Sequence, residues 1–436
     1  MPDTQLLWLG QDLRLDDQPL FHLAAQNSQP LLCVYVLDPL ELRPNRYGFA
    51  PMGSQRLAFL LQGIQDLDQS LSKLGQKLHL LIGDPLEQLT QLITQENIGS
   101  VLRSRHSTWN EQQLWNQLQK RFPYLHYQQP DSRTLFSLDT LPVKLDPYPK
   151  SFSQFRRQVE KQAYSVTPLA PPQQLPPAPR LQTQYPGDLA LKPARPLLFQ
   201  GGETSAQAHL HTYFSSEAAS SYKETRNALQ GWTLSTKFSF ALAQGSLSPR
   251  RILQSLHAYE QRQGANESTY WIYFELLWRE YFQWYAQAHG VALFRFRGLN
   301  THRPLTSFYP QAFKSWCEGT TPWPLVNACM KELKATGYMS NRGRQLVASC
   351  LVNELALDWR WGAAWFEHHL LDYDAASNWG NWQYLAGVGA DPRGQRQFNL
   401  NKQAQVYDPN GDFVRTWQGD QGKRPLYQVD AADWPI

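Results

Sequence analysis

Short apolar runs alternate with longer helical repeats through the first third of this chain, and beyond that only the helical repeat continues. The apolar runs fall at residues 6–9, 31–37, 78–82, 100–103 and 125–128. Segments with apolar positions three and four apart lie between them, near 54–73, 86–95 and 110–121. A strand covered on both faces reads as a continuous apolar run, whereas a surface helix shows a stripe. The alternation therefore predicts βαβ units and a doubly wound parallel sheet with helices on both faces. No GxGxxG follows the first strand, so the dinucleotide fingerprint is absent, and any ligand of this domain would sit at the carboxyl ends of the strands.

Prolines then recur from Pro168 to Pro196, including Pro171-Pro172 and Pro176-Pro177. Proline lacks an N–H and fixes φ, which predicts an extended interdomain connection rather than helix or central strand. From Gly201 onward the pattern is helical. Ser248-Pro249 supplies an N-cap and a first-turn proline. Asn266 to His289 reads as one long aromatic helix closed by Gly290, and further helices begin near Phe308, Pro324, Ser340, Trp361 and Ala375. The expected organisation is an α/β domain over residues 1–130, a connection over 131–200 and an all-helical domain over 201–436.

Composition adds three points. At 436 residues the chain can bury two cores, and its 42% apolar fraction is that of a globular protein. Sixteen tryptophans serve either as large core side chains or as stacking surfaces and redox stations. A net charge of +4 does not announce a nucleic-acid binder, so a phosphate-tracking surface must come from local clusters. Candidates are Arg156-Arg157, Arg250-Arg251, the run from Arg295 to Arg303, and Arg393-Gly394-Gln395-Arg396. Cys33, Cys317, Cys329 and Cys350 have no metal-ligand spacing and read as structural thiols of a reducing compartment. With no signal-peptide pattern and no membrane-spanning apolar run, the expectation is a cytoplasmic protein; nothing in the sequence sets an oligomeric state, and a monomer is the default.

The chemistry concentrates late in the chain. Met339-Ser340-Asn341-Arg342-Gly343-Arg344-Gln345, Asp372-Tyr373-Asp374 and Asn378-Trp379-Gly380-Asn381-Trp382-Gln383-Tyr384 interleave arginines, carboxylates, amides and tryptophans. So many polar groups in a buried helical region call for a polar ligand to satisfy them. Earlier, Tyr222 and the segment Ser235-Thr236-Lys237-Phe238-Ser239 place hydroxyls and a lysine at the start of a helix. That is either an ordinary cap or a phosphate site. On the aromatic helix Glu275, Trp278, Arg279 and Phe282 follow i, i+3, i+4, i+7 spacing. They form either a surface ion pair beside core aromatics or a pocket wall that stacks on a base.

Taken in order along the chain, these segments resemble the cryptochrome/photolyase family. Asp12-Leu13-Arg14-Leu15-Asp16-Asp17 is similar to its DLRLHDN motif, with Asp for His and Gln18 for Asn. Trp316-Cys317-Glu318-Gly319-Thr320, Arg344-Gln345, the 378–384 segment and Gly387-Val388-Gly389-Ala390-Asp391-Pro392-Arg393-Gly394 resemble the DASH cryptochrome branch. The resemblance implies a helical FAD-binding domain in which Tyr222, residues 235–239, Arg344, Asp372, Asp374 and Asn378 hold the cofactor. It implies that Glu275 and Trp278 face a flipped pyrimidine dimer whose wall includes Gln345 and Tyr384, that Asn378 serves catalysis by addressing flavin N5, and that Trp382 and Trp359 relay electrons. The family's third, distal tryptophan is expected about ten residues before Trp316, where this chain has Thr306-Ser307-Phe308-Tyr309.

In ordinary pyrimidine-dimer photolyases Met usually replaces Gln345 and Trp replaces Tyr384. Losing one stacking indole weakens base contact by about 1 kcal/mol, which a duplex lesion tolerates less than a single-stranded one. The implied function is blue-light, FAD-dependent repair of cyclobutane pyrimidine dimers, preferring single-stranded UV-damaged DNA. Arg226, Arg279, Asn341, Arg342, Arg393, Arg396 and Lys402 are the candidate DNA contacts. Methenyltetrahydrofolate is the implied antenna, near Asn110 and Glu111, a pair that otherwise reads as a capping Asn and an acidic first turn. The alternatives are a signalling photoreceptor without repair, which the absence of a long tail after Trp434-Pro435-Ile436 disfavours, and a binding module without catalysis.

Overall fold

The computed structural model describes residues 4–162, 164, 166–181, 197–301, 303–390 and 396–423. Arg393, the 391–394 part of its motif, Pro186, Pro193 and Pro196 of the proline-rich stretch, and residues 434–436 lie outside them. Five strands, β1 (Thr4–Leu9), β2 (Leu31–Leu37), β3 (Leu78–Ile82), β4 (Ile98–Leu102) and β5 (His126–Gln128), form a parallel sheet in the order β3-β2-β1-β4-β5. The central β1 is buried at every position, as its continuous apolar run requires. Two apolar layers cover the sheet, one holding Leu7, Leu67 and Leu71, the other Trp8, Leu92 and Leu118.

The helical domain has a core of its own, and the connection contributes to it. Leu135 and Phe136 pack there, as do Phe152, Phe155 and Val159 from a helix at Phe152–Glu160. The described part of the proline-rich stretch has no helix or strand and lies along the α/β domain. Leu31 N donates to Pro177 O at 2.9 Å, and Gln76 donates to Pro176 O. Proline carbonyls remain good acceptors although proline nitrogens donate nothing.

Helix boundaries follow local chemistry. Asn266 and Thr269 form a reciprocal capping box at the start of Glu267–His289, and Ser248 caps Pro249–Gln263. At Trp109–Arg121 the N-cap is Thr108, so Asn110 lies in the first turn and is not the cap. The helix expected near Trp361 begins earlier, at Trp359, because the Asp358 side chain caps it.

The two domains are joined through the Asp12–Gln18 motif. Arg14 is fully buried and donates only to backbone carbonyls: Asp16 and Asp17 of its own loop, Ser132 of the connection and Gly245 of the helical domain. Arg250 pairs with Asp17 at 2.7 Å and Arg251 with Asp16 at 2.5 Å. This corrects the reading of Arg250-Arg251 as a phosphate-tracking cluster, since both cations are spent on the interdomain seam. Replacing Arg14 by Met strands four carbonyls and should cost about 3–5 kcal/mol. Urea unfolding checks this, and an unchanged midpoint would show that the seam does not depend on Arg14.

Candidate functional site

Two cavities meet at the seam. The larger, about 840 Å³, opens at the carboxyl ends of the strands, beside Gly10, Asp38, Asp84 and Arg103, and is closed on the far side by Gln283, Tyr373 and Trp379. The smaller, about 120 Å³, lies inside the helical domain. Tyr373 and Asp374 border both.

The small cavity gathers most of the late polar motif: Arg344, Gln345, Asp372, Asp374, Asn378 and Trp382, with Asn341 at an exposed edge. Arg344 comes from the Ser340-capped helix Asn341–Ser349 and donates to both Asp372 oxygens at 3.0 and 2.8 Å. Asn378 donates its amide N–H to Ala363 O at 3.0 Å. Trp382 is buried against the helix Trp359–His369, which can approach because residue 362 is glycine; a Cβ there would lie 2.2 Å from the indole. Trp359 is buried with its N–H on Phe296 O at 2.9 Å.

Asp374 holds this arrangement in place. It caps the helix Ala375–Leu385 through Ser377 N at 2.8 Å, accepts from Gln283 at 2.8 Å and pairs with Arg133 at 3.1 Å. Burial pushes its pKa up, but Arg133, Arg279 and the Ser377 hydrogen bonds outweigh this and hold it below the ordinary aspartate value.

Tyr222 and residues 235–239 do not border the small cavity, though Lys237 lies in the field of Arg344 and Asp372, which do. Tyr222 and Phe238 are buried, Thr236 O meets His209 at 2.8 Å, and Lys237 donates to Tyr338 OH at 2.5 Å. The helix there runs Ser239–Gln244, so residues 235–238 form the loop that enters it. Burial lowers the Lys237 pKa to about 8. Nearby Glu332 is pushed up to about 8 by burial, against the pull of Lys237 and Arg344, and its Oε2 is buried without a partner.

Family models match two parts of the chain: "DNA photolyase" over residues 5–178 and "FAD binding domain of DNA photolyase" over residues 271–423. A "Cryptochrome DASH" of Idiomarina loihiensis is 51% identical over 98% of this chain and 95% of the relative. The chain belongs to the cryptochrome/photolyase family. It stands with the DASH cryptochromes, since the Vibrio parahaemolyticus member is 49% identical over 99% of this chain and 97% of its own. The crystal structure of a Synechocystis cryptochrome superposes with a TM-score of 0.91 at 40% identity, covering 96% of this chain and 89% of that one. A class III photolyase from Agrobacterium tumefaciens gives 0.81 at 26% identity, covering 96% and 86%. The helical half of this DASH-type chain is an FAD-binding domain, in a family whose function is light-dependent.

On the outer side of the aromatic helix the four-residue stripe divides. Glu275 pairs with Arg226. Trp278 stacks on Phe152 at 3.8 Å and meets Tyr384 edge-on at 5.8 Å. The Arg396 guanidinium lies 4.6 Å from the Tyr384 ring, and its backbone carbonyl is held by Asn353 at 2.9 Å. Arg342 donates to Asn227 at 3.1 Å and lies over Tyr407, while Lys402 is exposed. Arg279, expected as a phosphate contact, turns inward instead: it donates to Arg133 O at 2.6 Å and lies in the field of Asp374. Burial lowers its pKa to about 10, so it remains a cation of the seam.

At the large cavity Glu111 pairs with Arg103, whose guanidinium lies 3.5 Å from the Trp8 ring centre, and Asn110 lines the same wall. Burial opposes the Glu111 charge, but Arg103 and His106 prevail and hold its pKa at about 2. His106, Arg103 and Arg133 each keep one buried nitrogen without a partner. Sequence reading missed Arg133, Gln283 and His106. Only Gln283 left a trace, three residues after Glu280, whose carboxylate holds Leu135 N and Phe136 N at 2.8 and 3.2 Å.

Asp374→Asn keeps a capping side chain but leaves Arg133 without its counter-ion, and should cost about 3 kcal/mol at neutral pH. Because the native pKa of Asp374 is depressed, its charge stabilises above the unfolded aspartate pKa of about 3.9, and that stabilisation is lost as pH falls toward the native value. Denaturation of both proteins should therefore show a constant gap above about pH 5 that narrows in acid. A gap independent of pH would rule out the Asp374 charge as its source.

Proposed function

We propose that this chain splits cyclobutane pyrimidine dimers under blue light, using bound FAD and favouring single-stranded DNA. The observation that carries the reading is the edge-on meeting of Trp278, on the aromatic helix, with Tyr384, on the helix that brings Trp382 and Asn378 to the small cavity, with Arg396 over the Tyr384 ring and Arg226 paired to Glu275 one turn away. An aromatic corner rimmed by cations suits unstacked bases and their phosphates.

The donor set of the small cavity fits a flavin. It offers a cation–carboxylate pair, a neutral amide and an indole. Arg344, Asp372, Asp374 and Asn378 would hold the ring, and Lys237 with the hydroxyls of residues 235–239 would meet the phosphates. When bound and reduced, FAD supplies the photoexcited electron that opens the cyclobutane ring and takes it back. The Arg344 guanidinium offsets negative charge in the cavity, and the Asn378 amide has no acidic proton to give, whereas a carboxylic acid would. Glu275 would accept a hydrogen bond from the pyrimidine edge once Arg226 turns to phosphate, with Trp278 and Tyr384 stacking on the bases. Gln345 and Asn341 line the mouth.

Weak duplex activity has a physical cause. Extruding a dimer from a duplex costs a few kcal/mol of pairing and stacking, and a phenol at Tyr384 returns less of it than an indole would. The large cavity fits an antenna. Its volume lies in the small-molecule range of about 300–1,000 Å³, and the partnerless nitrogens of His106, Arg103 and Arg133 at its wall suit a polar heterocycle such as methenyltetrahydrofolate, with Glu111 and Asn110 beside it.

The test is recovery of thymine ultraviolet absorbance when reduced protein meets a dimer in matched single- and double-stranded oligonucleotides under blue light. Repair of the single strand with little of the duplex is expected. Absence of repair with flavin bound and reduced would leave photoreception as the function. Arg342→Ala should weaken binding across sequences and lower the salt slope by about one; titration at several salt concentrations checks this, and an unchanged slope removes Arg342 from the footprint. Glu111→Gln should lose the near-ultraviolet antenna absorbance of gently purified protein while retaining flavin, and retention of both colours would place the antenna elsewhere.

A further inference from the structure

The aromatic contacts raise a question that the proposed function leaves open: how electrons reach the small cavity from solvent. Trp382 borders that cavity and is buried. From Trp359, ring contacts lead to Trp379 at 5.7 Å and on to Phe294 at 5.1 Å. Both of those residues line the interdomain cavity, so this branch ends where an antenna would sit. At residue 306 stands a threonine, whose hydroxyl is buried without a partner.

A second branch leads outward. Trp382 meets Trp316 edge-on at 6.3 Å. Phe313 stacks on Trp316 at 6.0 Å and meets Trp361 at 5.4 Å. Trp361 is half-buried, stacked on Phe308 at 3.8 Å and 16° and met edge-on by Tyr47 at 5.1 Å. Phe308 comes from the segment where a distal tryptophan is missing, so its ring holds an indole supplied by another helix.

We propose that Trp361 is the surface electron donor of this chain, refilling Trp382 through Trp316 across the ring of Phe313. This rests on the reading that the small cavity holds flavin. Phenylalanine is too hard to oxidise to be a station, so Phe313 serves as a bridge between two indoles. With flavin bound in the small cavity, Trp382 would give it one electron under light, Trp316 would refill Trp382, and Trp361 would refill Trp316. A positive charge on fully buried Trp316 is poorly solvated, whereas half-exposed Trp361 meets water. That difference pulls the charge outward and separates it from the flavin. The Trp361 radical cation releases its indole proton to water, and an external thiol then returns an electron and a proton, leaving a thiyl radical.

The experiment is blue-light reduction of the flavin-loaded chain with excess thiol, followed by flavin absorbance, together with electron paramagnetic resonance of protein carrying ring-deuterated tryptophan. Trp361→Phe and Trp316→Phe should each lose most of the photoreduction rate while keeping flavin content, Trp361→Phe should keep the wild-type unfolding midpoint, and Trp361→Phe should lose the long-lived indole radical. Trp361→Tyr should recover part of the rate, which a purely structural role for the ring would not explain. Trp361→Phe reducing its flavin at the wild-type rate, with the radical signal unchanged, overturns the proposal. Chemically reduced Trp361→Phe should repair dimers as the wild type does. If the chemically reduced wild type fails to repair while the photoreduction losses stand, the repair reading falls and the route remains.

Discussion

One buried carboxylate ties the molecule together. Asp374 caps the helix that carries Asn378, Trp382 and Tyr384, and it neutralises Arg133 from the connection and accepts from Gln283 of the aromatic helix. A buried charge is tolerated only when its lone pairs are filled, and here the three donors come from three separate segments. The position of the small cavity, the stacking corner outside it and the wall shared with the large cavity therefore follow from satisfying Asp374. Arg14 does the same for the motif that follows β1, with backbone carbonyls as its partners.

The seam divides the cations of a chain whose net charge is +4. Arg14, Arg133, Arg250, Arg251 and Arg279 are used internally, while Arg226, Arg342, Arg396 and Lys402 lie on the outer side of the helical domain. The aromatic richness divides in the same way. Trp284 is buried with its N–H on Glu280, whereas Trp278 and Tyr384 meet edge-on at the domain surface.

Local order was legible and long-range order was not. The runs at 31–37 and 78–82 match β2 and β3 at both ends, because continuous apolar segments bounded by Pro30 and Gly83 leave little choice. The Asn266 cap and the Arg344–Asp372 pair could be read from residue type and motif. Periodicity shows which side chains share a face but not which partner that face will meet. Arg279 shares a stripe with Glu275 and Trp278 yet turns into the seam, and Arg133 reaches Asp374 across 241 residues. Arg250 and Arg251 look like a surface cluster until Asp16 and Asp17 fold against them.

In the proposed function, light absorbed in the helical domain breaks a dimer held at the Trp278–Tyr384 corner. A single blue flash, applied to reduced protein saturated with a dimer in a single strand and followed by a count of dimers lost, tests it most directly. Dimers are expected to split on the first flash, with the flavin returning to its reduced state and no reductant consumed. A flash that leaves every dimer intact, with DNA bound and flavin reduced, would contradict it.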